Sequence, residues 1–417
     1  MLALLSSGAA LAGPIGLLGG CASSPGGSFG ATASLPASGQ NANAPATGAG
    51  QVQPVKAALL LPLGSSIQLS LVAKGLQQAA ELALFERDVP GFQLVVRDDK
   101  GTPEGAGQAA MTAIADGCEI ILGPLLGTSV AAVAPIARQA QVPVIAFSND
   151  PANGGRGVHL LSFFVSSEVD RVVGHATASG RRHFAALIPD DPLGRDTEPA
   201  FRRTADQGGA RIALVERYAG DLNGLMASAQ RVIDAINGSA NSEHPIDALF
   251  LPASDENVPR LIAMLRHHDI DASRVKLILT SAWNTPAVLN EPRLAGAWLA
   301  APDPAGWREL SARFAKAYNA MPPRLASLSY DAVTVAASFS TQPKGQRYTP
   351  ANLTRPQGFA GVDGQIWLTA TGPVERSLAV LEVQSQGLVA VSPAARPAPG
   401  QLTRPLGPIG AQSMVRG

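Results

Sequence analysis

From Val55 onward the chain alternates short apolar runs with longer segments whose apolar residues recur at helical spacing. This beat is what most constrains its fold. The run 55–61 (VKAALLL) is followed by Leu69, Val72, Leu76, Ala79, Ala80 and Ala83, spaced for one face of a helix. Strands then read at 92–97, 119–122 and 143–147, with helices at 103–115 and 129–139 between them. After a break the beat restarts. Helices read at 169–179, 197–207, 222–236 and 257–267, and strands at 184–188, 211–216, 246–251 and 275–279. A later stretch holds a run at 296–300, helices at 307–318 and 326–339, and runs at 364–368 and 377–383 that read as antiparallel strands. Strands alternating with helices predict an α/β fold with parallel sheets. Two such sets and a return predict two lobes joined by several crossings. Lobe one is expected at 55–165 with 284–342, and lobe two at 166–283 with 343–385. Ligands of open parallel sheets bind beyond the carboxyl ends of the strands, so the expected site is the cleft between the lobes.

Charge marks where this body begins. The 417 residues carry 32 Lys+Arg and 32 Asp+Glu, a net charge of zero, yet none of these residues precedes Lys56. A neutral balance argues against a nucleic-acid partner, and an aromatic share of 5% argues against a stacking platform for single strands. Residues 1–20 are apolar and small, interrupted by Gly and Pro, and read as a signal peptide rather than a membrane span. Leu18-Gly19-Gly20-Cys21 resembles the bacterial lipobox, which implies a lipidated Cys21 and a membrane attachment through that anchor alone. No Lys or Arg precedes the apolar run, so the true start is expected upstream. Residues 21–54 lack charge and periodicity and read as a flexible tether. The Pro-rich segment 386–417 reads as a disordered tail, with a basic interaction tail as the alternative.

Several apparent motifs carry no chemistry. Gly26-Gly27-Ser28-Phe29-Gly30 has the G-x-S-x-G spacing but neither the strand nor the helix that a nucleophile elbow needs. Cys118 opens an apolar run and reads as a small buried hydrophobe rather than a reactive thiol. His267 and His268 are adjacent on a helix and so point in different directions, which suits a solvated helix end better than a metal. No dinucleotide fingerprint, Walker loop or HExxH helix occurs. No catalytic residue, metal site or cofactor is expected, and the chain is read as non-enzymatic.

The order of several segments resembles the leucine-binding type of periplasmic binding protein (type I, two Rossmann-like lobes). These are Ala57-Ala58-Leu59-Leu60-Leu61-Pro62-Leu63-Gly64; the D-x-x-x-x-P-E turn from Asp98 to Pro103-Glu104; Ile121-Leu122-Gly123-Pro124; and Val142-Pro143-Val144-Ile145-Ala146. Phe314-Ala315-Lys316-Ala317-Tyr318, Tyr330-Asp331-Ala332, and Phe359 to Asp363-Gly364 continue the likeness to about Val383. Leu61-Pro62-Leu63, Leu122-Gly123-Pro124-Leu125 and the lipobox are most similar to the lipoproteins called penicillin-binding protein activators. That resemblance implies a periplasmic, lipid-anchored regulator of peptidoglycan synthesis, with a peptidoglycan synthase as partner. The alternative is the substrate-binding component of an ABC importer, with a permease as partner and an amino-acid-like solute or cell-wall fragment as ligand.

With this fold, Ser65 and Ser66 follow the first strand. Gly127, Thr128 and Ser129 open a helix, where free N–H groups and hydroxyls suit a carboxylate unless they merely cap it. Ser148 and Asn149 follow the fourth strand, as cleft lining or as a polar turn before Pro151. Asp191, Tyr218, Ser254, Asp255 and Trp283 are the lobe-two candidates. The resemblance implies an acid there for a ligand ammonium, supplied by Asp191 or Asp255. Leu193, where the amino-acid binders commonly carry Tyr, departs from the pattern.

Overall fold

The structure is a computed structural model and describes residues 54–396, apart from 220, 255 and 286–289. The segments expected to be a signal peptide, a lipidation site at Cys21 and a tether lie outside the described residues, up to residue 53.

Lobe one is built on a five-stranded parallel sheet of order β2-β1-β3-β4-β5, from β1 (Val55–Leu61), β2 (Phe92–Asp98), β3 (Ile120–Leu122), β4 (Val144–Ala146) and β5 (Val158–Leu160). Its central strand explains the uninterrupted apolar run of the sequence. Val55, Ala57, Leu59 and Leu61 enter one core while Ala58 and Leu60 enter the core on the opposite face. A strand covered on both faces has no solvent side on which to place polar residues. Helices α1 (Ile67–Arg87), α2 (Pro103–Ala115) and α3 (Gly127–Gln139) supply the cover.

Lobe two holds a seven-stranded sheet of order β15-β14-β10-β9-β8-β6-β7. The parallel part comprises β6 (His183–Pro189), β7 (Arg211–Tyr218), β8 (Ala248–Leu251), β9 (Lys276–Leu279) and β10 (Trp298–Ala301). Helices α4 (Val165–Ala178), α5 (Pro192–Gln207), α6 (Leu222–Ser239) and α7 (Val258–His267) flank it. An antiparallel pair, β14 (Leu378–Gln384) and β15 (Gly387–Ala395), completes one edge.

The return of the chain differs from the expected boundaries in three places. Trp298–Ala301 was expected in lobe one but forms β10 of the lobe-two sheet, because its all-apolar sequence needs cover on both faces and β9 and β14 provide the neighbours. Residues 350–376 were expected in lobe two. They pack on lobe one instead: Leu353, Phe359, Ile366, Leu368 and Val374 join its core with α8 (Pro304–Tyr318) and α9 (Ala326–Ala337). There β11 (Phe359–Gly361), β12 (Gly364–Trp367) and β13 (Glu375–Arg376) form a small antiparallel sheet. Residues 386–396 were expected to be disordered, but β15 pairs with β14 across most of its length and Arg171 of α4 donates to Ser392 and to the Pro393 carbonyl. The 364–368 and 377–383 runs thus lie in different sheets rather than pairing with each other. Cys118 is buried in the lobe-one core, where burial pushes its thiol pKa up, as a structural cysteine requires.

Helix α9 is buried along its whole length against α1. The close approach depends on Gly75, where a Cβ would stand 2.4 Å from Pro323, and on Ser329, whose hydroxyl donates to the Leu76 carbonyl at 2.6 Å. Gly75→Val is expected to destabilise the fold by about 1–3 kcal/mol through overpacking, despite the gain in helix propensity. Urea unfolding of the variant checks this.

Candidate functional site

The strand order reverses beside β1 in lobe one and beside β6 in lobe two, and the loops at those carboxyl ends carry the site. In lobe one the loop after β1 is held from below. The Asp98 carboxylate accepts from the backbone N–H of Gly64 at 3.0 Å and of Lys100 at 2.8 Å, and a Cβ on Gly64 would collide with it. The next turn is set by Thr102, whose hydroxyl accepts from Gly105 N–H to cap α2, with Pro103 at the first helical position. Ser65 belongs to this scaffold and not to the ligand surface. Its hydroxyl donates to the Pro62 carbonyl at 2.8 Å. Ser66 sits at the start of α1, exposed, with a hydroxyl that caps nothing.

The start of α3 is different. Its N-cap is Leu126, so no side chain satisfies the first-turn N–H groups, and neither Thr128 nor Ser129 caps the helix. Thr128 is exposed, whereas Ser129 is fully buried and its hydroxyl has no partner. The strand leading here ends in Gly123, at φ 81°, where a Cβ would stand 2.2 Å from the Leu60 carbonyl oxygen; only glycine fits. Gly127 lies against the loop after β4, since a Cβ on it would be 3.3 Å from the Ser148 hydroxyl and 3.4 Å from Asp150. Ser148 is buried and its hydroxyl accepts from Asp150 N–H, while Asn149 is exposed. Gly127 and Ser148 are therefore brought together at the helix start, while Ser129, two positions further along α3, points away from that face and is fully buried.

Lobe two places the expected residues otherwise. Asp191 is the N-cap of α5 and accepts from Gly194 N–H at 3.0 Å. Trp283 is wholly buried in the lobe-two core and donates its indole N–H to the Leu251 carbonyl at 2.9 Å. It presents no surface to a ligand; an aromatic of this size was needed to fill the core under β8. Tyr218 is buried in the same core, its hydroxyl without a partner, and burial followed by the Asp191 charge drives its pKa up. Ser254 accepts from the Asn257 side chain at 3.2 Å and helps start α7. Asp255 lies outside the described residues. Partial burial raises the pKa of Asp196, in the second turn of α5; Arg195 opposes the rise and Asp150 of lobe one adds to it.

The sequence from residue 54 to 387, spanning both lobes, matches the family model described as periplasmic binding protein. The chain belongs to that family. No curated protein matches it. Among solved structures it is similar to a putative branched-chain amino acid ABC transporter from Rhodospirillum rubrum, with a TM-score of 0.68 and 17% identity over 81% of this chain and 100% of the other. A solute-binding protein of an ABC transporter from Rhodopseudomonas palustris, solved with 3,4-dihydroxybenzoic acid, gives 0.57 and 19% over 82% and 98%. An ABC transporter substrate-binding protein from Desulfitobacterium hafniense, in complex with Leu, gives 0.57 and 19% over 81% and 100%. At such identities the likeness is one of fold.

In this periplasmic binding protein, the crossings between lobes surround a set of charges, buried except for Arg324, that sequence reasoning missed. Arg324 pairs with Asp363 through two hydrogen bonds of 3.0 and 2.6 Å, and its guanidinium lies over Phe163 and Trp307. Asp331, in α9, accepts from Val362 N–H and stands 3.9 Å from Arg376; burial pushes its pKa up to about 7, against the pull of Arg376. Glu168, in the first turn of α4, accepts from the backbone N–H and the hydroxyl of Ser281 at 2.9 and 2.7 Å. Burial pushes its pKa up to about 7 as well, with the Ser281 bonds and Arg324 opposing. A lone carboxyl in the otherwise apolar or hydroxyl-bearing run ASLSYDAVTVAA was the available signal for Asp331.

A carboxyl whose folded-state pKa lies above its unfolded value binds more protons when folded, so stability is lost as pH rises through about 7. Glu168→Gln keeps an acceptor and a donor for Ser281 and removes the charge. Its stability relative to wild type is expected to rise by about 1–3 kcal/mol from pH 5 to pH 8. Denaturant titrations at the two pH values measure this; a pH-independent difference would contradict the burial effect.

Proposed function

We propose that the protein is the solute-binding component of an ABC importer and closes its lobes on a small solute bearing a carboxylate. The observation that carries this is the start of α3. There the first turn has no side-chain cap, and Gly127 stands beside the hydroxyl of Ser148 in the loop after β4. Free N–H groups at a helix start, reinforced by the positive end of its dipole, are donors for an anion. The two solutes named with the similar structures, leucine and 3,4-dihydroxybenzoic acid, have a carboxylate in common and little else. Among the described lobe-two candidates, Asp191 is engaged as a cap and Tyr218 and Trp283 are core, so support for an ammonium-binding acid is missing there. This favours a carboxylic acid over an α-amino acid. Closure is driven by contacts the solute makes only when both lobes reach it.

A second reading, a lipid-anchored regulator of a peptidoglycan synthase, is favoured by the Leu61-Pro62-Leu63 and Leu122-Gly123-Pro124-Leu125 segments and by the lipobox at Cys21. It needs no tightly bound small solute.

A thermal-shift panel of aromatic carboxylates, branched-chain amino acids and muropeptides separates the readings. A carboxylate is expected to raise the unfolding midpoint while its amide does not, and Ser148→Ala is expected to weaken binding about tenfold, the value of one hydrogen bond to a charged group. No shift with any carboxylate, together with a muropeptide response or capture of a peptidoglycan synthase, would replace the importer reading with the regulator.

A further inference from the structure

A small cavity lies where the three inter-lobe crossings meet, away from the cleft loops. It is lined by Phe164, Ser167 and Glu168 at the start of α4, by Pro302 on the second crossing, and by Arg376 and Leu378 on the third. Its interior has room for roughly one water-sized body. Two of its polar side chains are more than nine-tenths buried and unsatisfied. The Ser167 hydroxyl has no partner, and neither do Nε and Nη2 of Arg376. Only Nη1 of Arg376 is engaged, at 3.4 Å from the Asp363 carbonyl and 3.9 Å from the Asp331 carboxylate. The N-cap of α4 is Phe164, which offers no side-chain acceptor, so the positive end of a 14-residue helix opens on the same space.

We propose that this hinge cavity binds one monatomic anion of the halide class, held by the Arg376 guanidinium and the Ser167 hydroxyl at the start of α4. The counter-charge of the Arg376 guanidinium, Asp331, stands 3.9 Å away without a hydrogen bond, and two of the guanidinium donors are idle, so the buried charge is only partly compensated. Asp363 is already taken up by Arg324, and both oxygens of Glu168 accept from Ser281. A neutral water fills the donors but leaves the charge, whereas a halide answers both. The burial that raises the Glu168 and Asp331 pKa values leaves these carboxyls increasingly neutral below about pH 7, so anion affinity is expected to strengthen as the pH falls. The ion touches the first and third crossings together, so its occupancy biases the angle between the lobes. None of this depends on the solute proposed for the cleft.

The test compares unfolding midpoints of the protein in sodium chloride or bromide with those in sodium gluconate at equal ionic strength, with no solute added. Halide is expected to raise the midpoint by about 2 °C or more, as saturating ligand does. Ser167→Ala, a change small enough to keep the fold, is expected to lose most of that rise, and bromide-soaked crystals are expected to show an anomalous peak between Ser167 and Arg376. Equal midpoints in the two salts, an undiminished rise in Ser167→Ala, or a cavity without the bromide peak would each overturn the site and leave water as its occupant.

Discussion

The two-lobed arrangement depends on an ionic cluster, buried at Asp331, Asp363 and Arg376 and exposed at Arg324, placed where the chain passes between lobes. Arg324 and Asp363 form its tightest pair, and Asp331 and Arg376 extend it to the third crossing. Such groups are expensive to desolvate, and hydrophobic residues of similar volume often stabilise a fold as well or better. Their use here has a directional result: hydrogen bonds fix how α9 and the small β11–β13 sheet meet the crossings, where apolar packing would tolerate sliding. The same cluster surrounds Phe163, the aromatic on the first crossing, with two guanidinium groups. Glu168 then ties the beginning of α4 to Ser281, at the end of the lobe-two sheet.

Much of the fold was legible in the sequence because burial on both faces of a parallel sheet writes itself as continuous apolar runs. The strands β1, β6 and β8 and the helices between them follow that rule and stand where expected. The allocation of the returning chain was harder to read. Trp298–Ala301 is an apolar run like any other, and nothing local says which sheet it joins; the pairing with β9 and β14 is a tertiary choice. The β15 strand was hidden by its own exposure. Val389 and Val391 are exposed on an edge, so its apolar periodicity is weak and its pairing rests on backbone hydrogen bonds.

The neighbourhood of Gly127 and Ser148 was legible because a strand end followed by a helix start is visible in the order of residues. The lobe-two choices rested on residue type, and type does not reveal engagement: Asp191 at a helix start is as good a cap as a ligand, and Trp283 is as good a core filler as a lid.

The proposed function places the solute's donors in lobe one and has the solute drive closure. Small-angle X-ray scattering of the protein, alone and with the carboxylate that gives the largest thermal shift, tests this most directly. The radius of gyration is predicted to fall on saturation, because the solute contacts both lobes only when they close. An unchanged radius at saturation, or a carboxylate panel that never binds, would contradict solute-driven closure.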